Sequence, residues 1–122
     1  MSAKIVIADD EADILKLVVV RLQKWGYDVI TAVNGQEALD RIREHTPDII
    51  LLDYRMPLLS GQEVCQRVKA DPQLKHIPII LLTASSEFIG KELLQSSQAD
   101  DCLVKPFEPA VLREKIQHFV GA

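Results

Sequence analysis

The chain has 122 residues, 48% of them hydrophobic and 26% charged, with a formal net charge of −4; this length fits one domain with a real core and leaves no room for a second. No apolar stretch approaches the roughly 18 residues of a membrane span, no secretory signal precedes the first strand, and basic residues scattered through an acidic chain do not indicate a nucleic-acid-binding surface. Cys65 and Cys102 lack metal-ligand spacing and are expected to be reduced thiols, which with the missing signal favours the cytoplasm.

The run Lys4 to Ala8 is apolar and β-branched and reads as a first strand. Glu11 to Trp25 then shows helical periodicity, stopping at Gly26. A second strand, Tyr27 to Ala32, leads through Asn34-Gly35 into a second helix, Gly35 to Glu44, which ends before Pro47. The third strand is Asp48 to Asp53, and the third helix, Gly61 to Ala70, follows Ser60, an expected N-cap. Between them Met56-Pro57 stiffens the loop and Gly61 permits the turn. A fourth strand, Ile77 to Thr83, a fourth helix, Glu87 to Ser97, a fifth strand, Asp101 to Val104, and a fifth helix, Pro109 to Val120, complete the alternation. The strands are continuously apolar rather than alternating. The expected fold is therefore α/β: a doubly wound, five-stranded parallel sheet with helices on both faces and right-handed crossovers, forming one domain over residues 1–122.

The first helix, "ILKLVVVRLQKW", carries more apolar side chains than one face buries. Ile14, Val18, Leu22 and Trp25 form the stripe expected to face the sheet, leaving a surplus among Leu15, Leu17, Val19 and Val20.

In doubly wound sheets ligands bind outside the carboxyl ends of the strands, where the strand order reverses. Here strand 1 ends in Asp9, Asp10 and Glu11, strand 3 in Asp53, strand 4 in Thr83-Ala84-Ser85, and strand 5 is followed by Lys105-Pro106-Phe107. If strands 1 and 3 are neighbours, the acids face each other with little to neutralise them, and two unit charges about 4 Å apart repel by roughly 4 kcal/mol at an effective dielectric of 20. Such a cluster holds a proton or binds a cation, and oxygen ligands with open positions suit Mg²⁺. Lys105 and Thr83 add a positive charge and a hydroxyl donor for an anion. A phosphoryl group fits between them, and Asp53 could attack phosphorus to become an aspartyl phosphate.

The segments "IADDE", "LLDYRMPLLSG", "IILLTA" and "DDCLVKPF", in this order and spacing, resemble the receiver domain of two-component response regulators over essentially the whole chain. The resemblance implies strand order 2-1-3-4-5, Asp53 as phosphoacceptor and also a member of the Mg²⁺ site, Asp10 as a direct Mg²⁺ ligand and Asp9 as one acting through water. It further implies the backbone carbonyl of Arg55 as a third ligand, Thr83 as the switch hydroxyl, Lys105 as the phosphate-binding cation and a cis peptide at Lys105-Pro106. The donor it implies is a sensor histidine kinase or a histidine phosphotransfer protein, docking on part of the surplus of the first helix and the Pro106-Phe107 loop. Output is expected from the face of helix 4, strand 5 and helix 5, which a downstream protein reads. Arg55 and Ser85, at the mouth where water enters, are expected to set the lifetime of the phosphorylated state.

Two positions depart from the family pattern. Cys102 stands where an aromatic normally couples to the threonine, and Gln98 stands where glycine is usual. Other readings are a receiver used only for docking, a small aspartyl-phosphate phosphatase, and a flavodoxin-like cofactor binder. The intact acid set opposes the first. Arg55 occupies the place where a phosphatase of this type needs a general acid, and the acidic "ADDEAD" turn opposes a flavin phosphate. Only Gly121-Ala122 follows the fifth helix, so a stand-alone protein working by partner binding or onward transfer is expected, with an excised piece of a larger regulator as the other reading.

Overall fold

In the computed structural model, which describes residues 2–84 and 97–121, five strands form one sheet: β1 Lys4–Ala8, β2 Asp28–Ala32, β3 Ile49–Asp53, β4 Ile79–Thr83 and β5 Asp101–Val104. Every pairing is parallel and the order is β2-β1-β3-β4-β5, as implied. Four helices are described, α1 Ala12–Lys24, α2 Gly35–His45, α3 Gly61–Ala70 and α4 Pro109–Val120; α4 is the fifth helix of the sequence. The expected fourth helix, Glu87 to Ser97, lies outside the described residues except for Ser97, and Ser85 lies outside them too.

Most strands and helices match their expected spans within a residue, and the fourth strand differs most, by two. It starts at Ile79 rather than Ile77, because Pro78 has no N–H for the ladder and the Ile77 N–H instead closes a turn on the Leu74 carbonyl at 3.0 Å. Glu11 is extended, with φ −91° and ψ 100°, and serves as the N-cap of α1 rather than its first residue.

Successive strand residues point to opposite faces, and both faces are covered. Val6, Ile50, Leu52 and Leu81 pack with Ala38, Ile42 and Val68 beneath α2 and α3. Ile5, Ile7, Leu51 and Leu82 pack with Leu22 and Ile116 beneath α1 and α4. Two-sided burial is why these strands read as unbroken apolar runs.

The expected stripe on α1 needs one correction. Leu22 is fully buried and Val18 and Trp25, partly covered, pack against the same core, but Leu15 rather than Ile14 is the buried residue of the first turn. The helix is rotated so that Leu15 reaches the sheet, and Leu17 (72% exposed) and Val20 (52% exposed) are the surplus that remains on the surface.

Local chemistry sets the other helix starts. Asn34 Oδ1 accepts the Glu37 N–H at 2.7 Å, and Ser60 and Glu63 form a reciprocal capping box. Gln98 has φ 67°, a left-handed conformation that glycine adopts without cost, which accounts for the glycine that the resemblance leads one to expect there. Two residues on, Asp100 is latched. Its Oδ2 accepts from Lys69 Nζ and from the Ile79 N–H, both at 2.8 Å, while the same ammonium donates to the carbonyls of Ile77 (2.9 Å) and Lys75 (3.2 Å). One mostly buried lysine thus ties the end of α3 and the entry of β4 to the lead into β5.

Hydrogen bonds to charged groups contribute about 1.5–3 kcal/mol each, net. Lys69→Ala removes the donor and leaves its partners short of one, so urea unfolding should show a loss of about 2 kcal/mol with an unchanged m-value.

Candidate functional site

Parallel pairing sends the carboxyl ends of all five strands to one edge, and the main chain holds the residues just beyond them. The Asp9 N–H donates to Ala32 O at 3.1 Å, the Tyr54 N–H to Leu82 O at 2.7 Å, and the Lys105 N–H to Thr83 O at 2.7 Å. Each ladder runs one bond past its strand, so Asp9, Asp53, Thr83 and Lys105 sit on a fixed frame. The Lys105-Pro106 peptide is cis, as implied.

Three of these, Asp53, Thr83 and Lys105, line a cavity of about 490 Å³ together with Asp10 and Arg55, with Glu11, Tyr54 and Ala84 completing it. Carboxylate oxygens of Asp9, Asp10 and Asp53 all lie within 4.8 Å of one another. Asp9 and Asp53 are buried, at 1% and 7% exposure, and so is Thr83; Asp10 is exposed. Ser85, the other residue expected at the mouth, lies outside the described residues. Three oxygen donors of mixed burial beside an open cavity fit a hard divalent cation that retains waters.

A neutralising charge stands among the acids themselves. Lys105 Nζ donates to Asp9 Oδ2 at 2.7 Å and stands 3.5 Å from Asp53 Oδ2, so the lysine already neutralises one acid of the cluster. The other Asp9 oxygen accepts the Glu11 N–H at 2.9 Å, which leaves Asp9 engaged on both sides. Burial lifts the Asp53 carboxyl from the ordinary 3.8 to about 6; Lys105 opposes the rise and the negative charge of Asp9 adds to it. Burial disfavours the Lys105 ammonium, but its hydrogen bond to Asp9 and the two carboxylate charges outweigh that and raise its pKa above the ordinary lysine value.

Residues that charge patterns alone did not reveal complete the wall. Tyr54 borders the cavity and its hydroxyl donates to Gln62 Oε1 at 3.1 Å, bracing the start of the loop against α3. Gly61 packs on the backbone of Asp53 itself: a Cβ there would overlap the Asp53 carbonyl oxygen. The signal for Tyr54 was only its place next to Asp53.

Beside the acidic cavity lies a groove of about 450 Å³ between α1 and the start of α4, walled by Ile14, Leu17, Val18, Pro106, Phe107 and Leu112. The two share Lys105, Glu11 and Ala84. Cys102 is partly buried and packs against the core cluster beneath α2 and α3. Cys65 is fully buried there, and burial pushes its thiol up to about 12, so it is an inert core residue.

A family model described as the response regulator receiver domain matches residues 5–117. Among characterised relatives, the chain is 39% identical over 117 residues to the alkaline phosphatase synthesis transcriptional regulatory protein PhoP of Bacillus subtilis, covering 96% of this chain and 48% of that protein. It is 41% identical to a probable transcriptional regulator, ycf27, of Guillardia theta, covering 93% of this chain and 44% of the relative. The chain thus spans about half the length of the curated relatives it matches. Among solved structures, chemotaxis protein CheY4 of Vibrio cholerae is 34% identical with a TM-score of 0.88, over 98% of this chain and 99% of that one. The receiver domain of a Pseudomonas aeruginosa sensor histidine kinase, with magnesium coordinated in its active-site cleft, is 27% identical with a TM-score of 0.89 over the full length of both.

An acid whose folded-state pKa lies above its unfolded one favours the fold only while protonated. The Asp53 contribution is therefore present below about 3.8 and lost as the pH rises through about 6. With metal removed by chelation, Asp53→Asn should be more stable than the wild type at pH 7.5 by up to about 3 kcal/mol. In urea unfolding that advantage should shrink toward zero as the pH falls from 6 to 4.

Proposed function

The chain belongs to the response regulator receiver domain family, the phosphoacceptor domains of two-component signalling, and on that footing we propose that Asp53 accepts a phosphoryl group from a phosphohistidine with Mg²⁺ bound in the acidic cavity. The observation that carries this reading is the inequality among three neighbouring acids. Asp9 is engaged by Lys105 at 2.7 Å and by the Glu11 N–H at 2.9 Å, and Asp10 is exposed. Asp53 is buried, fixed at the end of β3, held only loosely by Lys105 at 3.5 Å and raised in basicity. A more basic, partly desolvated carboxylate is the better nucleophile.

Asp10 and the Arg55 carbonyl would hold the metal directly and Asp9 through water. When bound, Mg²⁺ neutralises charge on the phosphoryl oxygens. In the transfer, an oxygen of Asp53 forms a bond to phosphorus and the phosphorus–nitrogen bond of the phosphohistidine breaks. The electron pair leaves with the imidazole, which takes up a proton. Lys105 and Thr83 neutralise and hydrogen-bond the arriving oxygens. Hydrolysis reverses the loading: water attacks phosphorus, the aspartyl oxygen–phosphorus bond breaks, and inorganic phosphate leaves the restored carboxylate. Arg55, exposed at the mouth, and Ser85 set how readily that water enters. The domain acts on itself rather than turning over a separate substrate.

The groove supports the donor's docking place. It adjoins the acidic cavity through Lys105, and Leu17 on its wall is 72% exposed, apolar surface suited to a helix of the partner that carries the histidine. Output is read by a downstream protein on β5, α4 and residues 87–97, of which 87–96 lie outside the described residues. Because the relatives are about twice as long, whether a further domain links this one to nucleic acid belongs to the whole protein. No described helix is long and apolar enough to cross a membrane.

Incubation with Mg²⁺ and a small acyl phosphate should give one phosphoryl adduct by mass spectrometry, absent in Asp53→Asn; no adduct, or one that survives that substitution, rejects the reading. Leu17→Asp should slow transfer from the phosphorylated cognate donor at least tenfold, a loss of about 1.4 kcal/mol, while loading from the acyl phosphate stays at the wild-type rate. Equal slowing of both reactions would remove the groove from the docking surface.

A further inference from the structure

The loop that carries Arg55 is clamped by a residue on another element. Tyr54 to Gly61 forms a closed loop, with the Gly61 N–H bonded to Tyr54 O at 2.9 Å. Inside it the Leu59 N–H reaches back to Pro57 O at 2.9 Å across Leu58, whose φ is 72°. This is the rare, strained hand of the three-residue turn, and Leu58 is also 75% exposed, so its own packing does not hold the conformation. Strain persists where surrounding structure over-determines it. Here the surrounding structure is the first turn of α2: the Gly35 N–H donates to the same Pro57 carbonyl at 3.2 Å. Gly35 is buried, and a Cβ on it would overlap the Leu59 carbonyl oxygen. The obstacle is backbone, which cannot swing aside as a flexible side chain does. Asn34, capping α2 through Glu37 at 2.7 Å, fixes the turn that presents Gly35.

We infer that Gly35 is a positioning residue for the metal. By letting α2 close directly onto Pro57 and Leu59, it holds the Tyr54–Gly61 loop at the height that keeps the Arg55 carbonyl at the acidic cavity. Gly35 borders neither the cavity nor the carboxylate cluster and acts only through the loop. The inference rests on the reading of Arg55 as a metal ligand. It adds that a position following β2 governs an affinity assigned to the ends of β1 and β3. Partners that orient metal ligands typically change affinity by about 10–100-fold when altered.

The test is Mg²⁺ binding alone, measured by calorimetry on the unphosphorylated protein. Gly35→Ala should weaken the Kd about tenfold in a variant that still unfolds cooperatively, whereas Ile42→Val, in the core beneath the same helix, should lower stability and leave the Kd unchanged. A folded Gly35→Ala with wild-type affinity overturns the inference. If that variant does not fold, the wild type decides. In an amide NMR titration with Mg²⁺ the Gly35 resonance should shift with the same midpoint as that of Asp10, while Gly26 and Gly121 stay still; a stationary Gly35 overturns it equally. Failure of the wild type to bind Mg²⁺ at all would instead remove the metal reading on which the inference stands.

Discussion

Crowding of negative charge at a half-dry edge is the constraint around which this fold is arranged. Three carboxylates within 4.8 Å of one another repel by several kcal/mol in any environment drier than water, and one ammonium 2.7 Å from Asp9 and 3.5 Å from Asp53 relieves only part of it. Burial is the main cause of the upward shift of Asp53, and the negative charge of Asp9 adds to it against the pull of Lys105. A marginal scaffold would relieve the strain by splaying the acids into solvent. This one does not, because Asp53 terminates a strand whose apolar residues, Ile49 to Leu52, are all fully buried and flanked by the equally buried run Ile79 to Leu82. Burying each such side chain contributes roughly 1.5–3 kcal/mol, so the central strands tolerate an unfavourable group at their tips.

The same frame couples the groups across the edge. Register places Asp53 opposite Leu82 and Thr83 opposite Val104, and the Lys105 N–H is bonded to the Thr83 carbonyl at 2.7 Å. Thr83 and Lys105 are therefore adjacent links of one backbone ladder, and a displacement of either is felt by the other. Cys102, opposite Leu81 and packed against the core, is a small side chain without a ring to move between two places.

The acids, the threonine and the lysine were legible in the sequence because each follows an unbroken apolar run, and a two-sided buried strand announces where it ends. Parallel order then brings those ends together. The partner of Lys105 was not legible. Asp9 lies 96 positions away, and nothing in the pattern distinguishes a lysine aimed at an arriving anion from one already bound to a resident acid. Lys69 and Asp100 were unreadable for the same reason, being 31 positions apart. The orientation of α1 failed differently. With apolar residues on most of its surface, periodicity admits several faces, and only contact with the sheet selects Leu15 over Ile14. Gly35 reads as an ordinary helix start, since a close approach of two backbones leaves no trace in composition.

The acidic cavity and the apolar groove meet at Lys105, and this has an electrostatic consequence. A body seated against Leu17, Val18 and Phe107 also covers one side of that ammonium and takes water away from it. Losing water weakens the screening between Lys105 and both carboxylates it faces, and an anion brought in beside it would feel the same strengthening. Nonspecific apolar contact elsewhere on the surface cannot do this, because Val20 (52% exposed), Val33 (48%) and Val111 (39%), also exposed, border neither the groove nor the acidic cavity. On the reading proposed above, docking and charge preparation are then one event: the surface that recognises the donor is continuous with the cation that must meet its phosphoryl group.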